Sequence, residues 1–189
     1  MKFFNIKKIS LFTVAILCVA GGIYQYKTRV ALSSILKDPA ISNYEAGRDK
    51  AFIKQQFKEN WYTMTPDPTM DVDFLLDNLV PSKHQLQHTG KMAIKMLYEN
   101  NEPVGFISYY MATRYQGHIQ FLIIAADKRG KRSGEKLMNY ALEDLKRQGA
   151  KTVKIYTRTE NLAAQKLYKR VGFIESDVVS QGIYLRKEL

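Results

Sequence analysis

The chain has a single cysteine, Cys18, set in an apolar N-terminal run. An intrachain disulfide and a cysteine-based zinc site are thereby excluded, and the redox compartment stays open. Histidine is almost as scarce. His84 and His88 have the spacing to share a helical face, but Pro81, Thr89 and Gly90 make the region a poor helix and no third ligand is evident. Both read as solvated loop residues. Asp67, Asp71 and Asp73 lack the central glycine and terminal glutamate of a calcium loop, so Asp71 or Asp73 reads instead as a helix cap. No metal is implied. Internal repeats and low-complexity segments are absent, and no acidic residue precedes Asp38.

What is present is a folded-core composition in 189 residues, enough for one domain and an appendage. The formal charge is +11, of which Lys2, Lys7, Lys8, Lys27 and Arg29 supply five. Such a surface attracts nucleotide cofactors, membrane headgroups or nucleic acid without choosing among them. The aromatic residues follow strand and helix patterns rather than a recognition motif, which counts against nucleic acid. Residues 9–26 are uncharged and bracketed by Lys7, Lys8 and Lys27, Arg29. As a helix they rise about 27 Å, just short of a hydrocarbon core of roughly 30 Å. The reading is a single-pass membrane anchor within residues 1–30, with a cleaved signal peptide and a secreted or periplasmic domain as the alternative. A linker over 31–41, with Pro39 as its breaker, then leads to a domain over 42–189.

Within that domain Phe52, Ile53, Phe57 and Trp61 recur at helical spacing, and a second helix runs through Phe74, Leu75, Leu76 and Leu79. "KMAIKMLY", "PVGFISYYMATR" and "HIQFLIIAA" are β-rich and separated by short turn-forming connectors, the pattern of an antiparallel meander. A helix from about Ser133 to Gln148 carries Leu137, Tyr140, Ala141 and Leu145 on one face and ends at Gly149. The strand "TVKIYT", a helix over about 161–171 and two closing strands complete the pattern. The order gives an α/β (α+β) fold, a mixed central sheet flanked by helices, with an N-terminal apolar helix.

Before the helix at Ser133 stands "DKRGKRSG", a basic, glycine-containing lead-in to a helix start. Unpaired N–H groups and the positive end of the helix dipole suit a phosphate there. "RGKRSG", Arg129 to Gly134, resembles the pyrophosphate loop R/Q-x-x-G-x-G/A of the GNAT superfamily of N-acetyltransferases. "NLAAQKLYKRVGF" is similar to that family's second signature through Asn161, Ala164, Leu167, Tyr168, Gly172 and Phe173. One departure is Arg132, where the family has its first glycine.

The resemblance implies acetyl-CoA as co-substrate and a primary amine, on a small molecule or a protein, as acceptor. It places Ile123, Ile124 and Ala125 along the pantetheine arm, and Arg129, Gly130, Lys131, Arg132, Ser133 and Gly134 around the pyrophosphate, with Asn161 nearby. Tyr168 falls where many relatives protonate the leaving thiolate. Many relatives also carry glutamates where this chain has His118 and Gln120, so His118 is the candidate base. Because acetyl-CoA is expected in the cytosol, an anchored domain faces the cytoplasm, although Lys2, Lys7 and Lys8 pull the other way. Arg132 and the missing glutamate leave a second reading, a non-catalytic acyl-CoA-binding or scaffold domain.

Overall fold

The computed structural model describes residues 35–64, 70–81 and 89–189. The apolar run at 9–26, Asp67, His84 and His88 lie outside the described residues. Every element below belongs to one compact unit, Asp38–Leu189. That unit starts inside the segment expected as linker: Lys136 pairs with Asp38 at 2.9 Å, and the Tyr98 amide donates to the Ala40 carbonyl.

A seven-stranded mixed sheet forms the middle layer, in the order β1-β2-β3-β4-β5-β7-β6. Strand β1 (Ile41–Asn43) leads to α1 (Ala46–Met64) and α2 (Val72–Asn78). The meander β2 (Thr89–Glu99), β3 (Glu102–Met111) and β4 (Gln116–Ile124) is antiparallel, as the three β-rich segments predict. Its first turn is closed by Asn100 and Asn101, both left-handed (φ 53° and 66°), the backbone of a two-residue hairpin that asparagine tolerates well. Then follow α3 (Ser133–Arg147), β5 (Thr152–Arg158), α4 (Leu162–Arg170), β6 (Ile174–Val179) and β7 (Gly182–Glu188). Strand β5 runs parallel to β4 and antiparallel to β7.

Each face of the sheet has its own core. Leu137, Ala141 and Leu145 of α3 pack against Ile107, Ile119 and Ile155, together with Tyr168 and Phe173. On the other face Ile53 and Phe57 of α1 and Leu75 and Leu76 of α2 cover Met96, Phe106 and Phe121. Fully burying each such side chain stabilises by about 1.5–3 kcal/mol. Polar contacts fix the layers: the Tyr109 hydroxyl donates to Asp144 of α3 at 2.8 Å. Of the two aspartates suited to capping α2, Asp71 does so, accepting from the Phe74 amide at 2.9 Å.

Strand β4 contains the irregularity that shapes the site. Ser108 pairs with Phe121 but Tyr109 pairs with Ile119, so Gln120 is an extra, bulged residue. In a regular strand residues 119 and 121 would share a face. Here Ile119 enters the α3 core and Phe121 the α1 core. Pairing between β4 and β5 stops at the same level, at Ile119 and Ile155.

Candidate active site

Beyond Ile119 the two parallel strands part, and the opening is a cavity of about 460 Å³. Gln120 to Ile124 line one wall, Ile155 to Thr157 the other. Backbone groups on the parted edges have no ladder partner and need one from outside. At one end lie Gly130, Arg132, Ser133 and Gly134, and α4 closes the space with Asn161, Leu167 and Tyr168.

The loop before α3 is shaped by left-handed residues: Gly130 has φ 89° and Arg132 φ 61°. Arg132 is the residue preceding α3, and no side chain among the described residues caps that helix start. The first N–H groups of α3 therefore point at the cavity end with the positive end of the dipole behind them, an arrangement that fits a phosphate. Arg129 fixes the loop, with Nε donating to the Ile124 carbonyl at 3.0 Å and Nη2 to the Asn60 side-chain oxygen at 2.9 Å. Asn60 is the kink of α1 (φ −118°, ψ 15°) and lines the cavity with Thr63.

A model of the Acetyltransferase (GNAT) family matches residues 51–173. The chain belongs to that family. It is 31% identical over 96 residues to an uncharacterized N-acetyltransferase of Methanocaldococcus jannaschii, covering 48% of this chain and 42% of that one. To the aminoalkylphosphonate N-acetyltransferase of Salmonella typhimurium it is 29% identical over 87 residues, 43% of this chain and 56% of the relative. The matched stretch thus spans about half the length of these curated relatives. Among solved structures, the PaiA N-acetyltransferase of Thermoplasma acidophilum, crystallised with coenzyme A, shares the fold. Its TM-score is 0.55 at 16% identity, over 76% of this chain and 85% of that one.

Of the residues expected from the GNAT resemblance, Ile123, Ile124, Arg129, Gly130, Arg132, Ser133, Gly134, Asn161 and Tyr168 come together around the cavity. Arg132 is left-handed, a conformation costing an L-residue about 1–2 kcal/mol. This is the physical reason a glycine suits the position. Asn161 also has a structural role as the cap of α4, its side-chain oxygen accepting from the Ala164 amide at 3.2 Å.

Tyr168 is buried, packs on Phe173 with ring centroids 6.1 Å apart, and lines the cavity. Burial raises its phenol well above the usual tyrosine range, so it stays protonated at neutral pH. No other described residue accepts a hydrogen bond from it. A neutral phenol at the cavity wall has a proton it can donate.

Three expected residues do not reach the cavity. The amide of Ala125 is committed to the Val104 carbonyl as the chain leaves the sheet. Lys131 is exposed, its Nζ 3.7 Å from Glu99. His118 precedes the bulge, where β4 is still paired with β5 opposite Lys154, and its ring faces Tyr110 at 5.3 Å. Burial, helped by the Lys154 charge, pushes its pKa down to about 4. The near-neutral pKa expected of a free imidazole is therefore lost, and with it the argument for His118 as base. The carboxylate on the cavity, Glu135, stands 3.6 Å from Arg170, also a lining residue.

Sequence reading missed Asn60, Thr63, Tyr156 and Arg170 as lining residues. Arg170 carried a signal, lying inside the second motif two residues after Tyr168. Asn60 and Thr63 carried none, because α1 meets the loop only through the fold.

Proposed function

We propose that this chain transfers the acetyl group of acetyl-CoA to a primary amine. The observation that carries the reading is the parted β4–β5 edge running from Tyr168 to the uncapped start of α3. Exposed backbone groups suit the amide-rich pantetheine arm, and the loop at Gly130 to Gly134 suits the pyrophosphate. The coenzyme A complex of the PaiA N-acetyltransferase of Thermoplasma acidophilum, which shares the fold, supports the same co-substrate. The amine nitrogen attacks the thioester carbonyl carbon, the carbon–sulfur bond breaks, and the departing thiolate takes the phenolic proton of Tyr168. The attacking nitrogen gives up its own proton to water, and water returns a proton to the Tyr168 phenolate. With Glu135 facing Arg170 and His118 away from the cavity, the amine arrives already neutral. The rate therefore rises with pH toward the acceptor's own pKa.

The domain organisation belongs to the same proposal: an anchor within residues 1–30 carrying the catalytic domain in the cytoplasm. Its support is the uncharged run at 9–26 and the cytosolic supply of acetyl-CoA. One observation favours the second reading, acyl-CoA binding without turnover: the strained Arg132 at the pyrophosphate loop together with the lack of a carboxylate on β4. The deciding experiment follows free thiol release from acetyl-CoA with the full chain and a broad amine panel. Amine-dependent release is expected. Binding of acetyl-CoA without release on any amine would establish the second reading, and absence of binding would overturn both.

A further inference from the structure

Among the described residues two charged side chains are strongly buried, and they are partnered very differently. Asp49 is fully buried and satisfied by Arg48, Tyr98 and the Glu45 amide. Arg158, only 7% exposed, has no carboxylate within ion-pair distance among the described residues. Its Nη1 donates to the Gln181 side-chain oxygen at 2.9 Å, and its Nε is buried with no hydrogen-bond partner among the described residues. A buried guanidinium without an anion is costly unless something else supplies the charge.

Its position ties the deficit to the cavity. Val153 and Ile155 point into the α3 core, so alternation puts Lys154, Tyr156 and Arg158 on the α1 face of β5. Tyr156 and Thr157 line the cavity. Arg158 follows at the end of the same strand, about 7 Å along from Tyr156 at the usual strand rise. What covers it is removable. The Tyr62 ring lies 4.1 Å from the guanidinium but is itself 62% exposed, and Gln181 is an exposed turn residue. Tyr62 is also the neighbour of Thr63, which lines the cavity.

We infer that Arg158 is an acceptor-recognition residue, and that the acceptor is an amine carrying a carboxylate or phosphonate a few bonds from the nitrogen. The inference rests on the acetyltransferase reading and deepens it. As the amine enters from the α1 face, Tyr62 swings aside and the acceptor's anion takes the open Nε–H and the adjoining Nη donors. A planar guanidinium holds either anion in a two-pronged contact.

The test measures kcat/KM of the full chain at saturating acetyl-CoA for β-alanine, 2-aminoethylphosphonate and β-alaninamide, the last a neutral match for the first. The expected result is a preference for the two anions over β-alaninamide of about tenfold to a hundredfold, the worth of a charged hydrogen bond. Arg158→Gln should collapse that ratio mainly through KM, and Arg158→Lys should restore part of it. Should Arg158→Gln misfold, Tyr62→Ala changes only an exposed side chain and should shift the anion-to-amide ratio. Equal use of anionic and neutral amines by the wild type would overturn the inference while leaving acetyl transfer standing. So would weakened acetyl-CoA binding in Arg158→Gln, which would assign the guanidinium to the cofactor. If none of the three amines is acetylated the inference falls, and the broad panel judges the parent reading separately.

Discussion

Tyr168 and His118 are both ionisable residues of the sheet and its covering helix, and burial moves them in opposite directions with different consequences. Burial keeps Tyr168 a neutral acid beside the cavity. Tyr168→Phe should preserve the fold and acetyl-CoA affinity while lowering kcat by about 10² to 10⁴, the usual worth of a positioned acid. Unchanged turnover in single-turnover kinetics would reduce the phenol to packing. His118 is held neutral, its pKa taken from 6.5 to about 4. Protonation then favours the unfolded chain. The stability it contributes is complete above about 6.5 and is lost as pH falls toward 4. Urea midpoints measured across that window should decline for the wild type and flatten for His118→Gln. Asp38, Asp49 and Asp73, all lowered from 3.8, lose their contributions below that value, outside the same window. An identical decline in the variant would assign the slope to other groups.

At the scale of elements, the start of α3 joins packing to ligand binding. A Cβ added at Gly134 would lie 3.1 Å from the Leu167 side chain and 3.7 Å from Ile124, so α3 opens flush against α4 and β4. Acetyl-CoA at about a hundred times its dissociation constant should stabilise the chain by about 2.7 kcal/mol, read as a rise in melting temperature. Gly134→Glu should abolish the rise by crowding Leu167 and by setting a carboxylate against the incoming pyrophosphate. A full shift in that variant would move the anion site elsewhere. The helix was legible in the sequence because Leu137, Tyr140, Ala141 and Leu145 repeat at its period, and all four are buried. The bulge at Gln120 was not. Ile119, Gln120 and Phe121 alternate apolar, polar, apolar as a regular strand would, and the following "LII" is apolar throughout, so the change of face leaves no mark on the pattern.

For the molecule as a whole, the open matter is where the domain works. No helix among the described residues is long and apolar enough to cross a membrane, and the candidate anchor at 9–26 lies outside them. Fractionation of cells expressing the full chain should recover it with membranes, and a C-terminal tag should be digested only after the cytoplasm is opened. A tag reached from outside, or a mature chain beginning near Ile23, would overturn the cytoplasmic placement and require an extracytoplasmic acyl donor.

The sequence by itself determined the order of strands and helices, the antiparallel meander and the basic, glycine-containing lead-in to α3. These follow from local periodicity, turn chemistry and motif spacing within short windows. It also marked Tyr168, because the second motif is contiguous and holds the residue on one helix. Only the tertiary structure decided which neighbours meet across long gaps. It parted β4 from β5 at the bulge and kept His118 in the closed part of the sheet. It drew Asn60 to Arg129 and left Arg158 buried with no counter-charge among the described residues. Burial and partnership depend on packing between segments far apart in the chain, and those quantities set both the pKa of a histidine and the electrostatic need of an arginine.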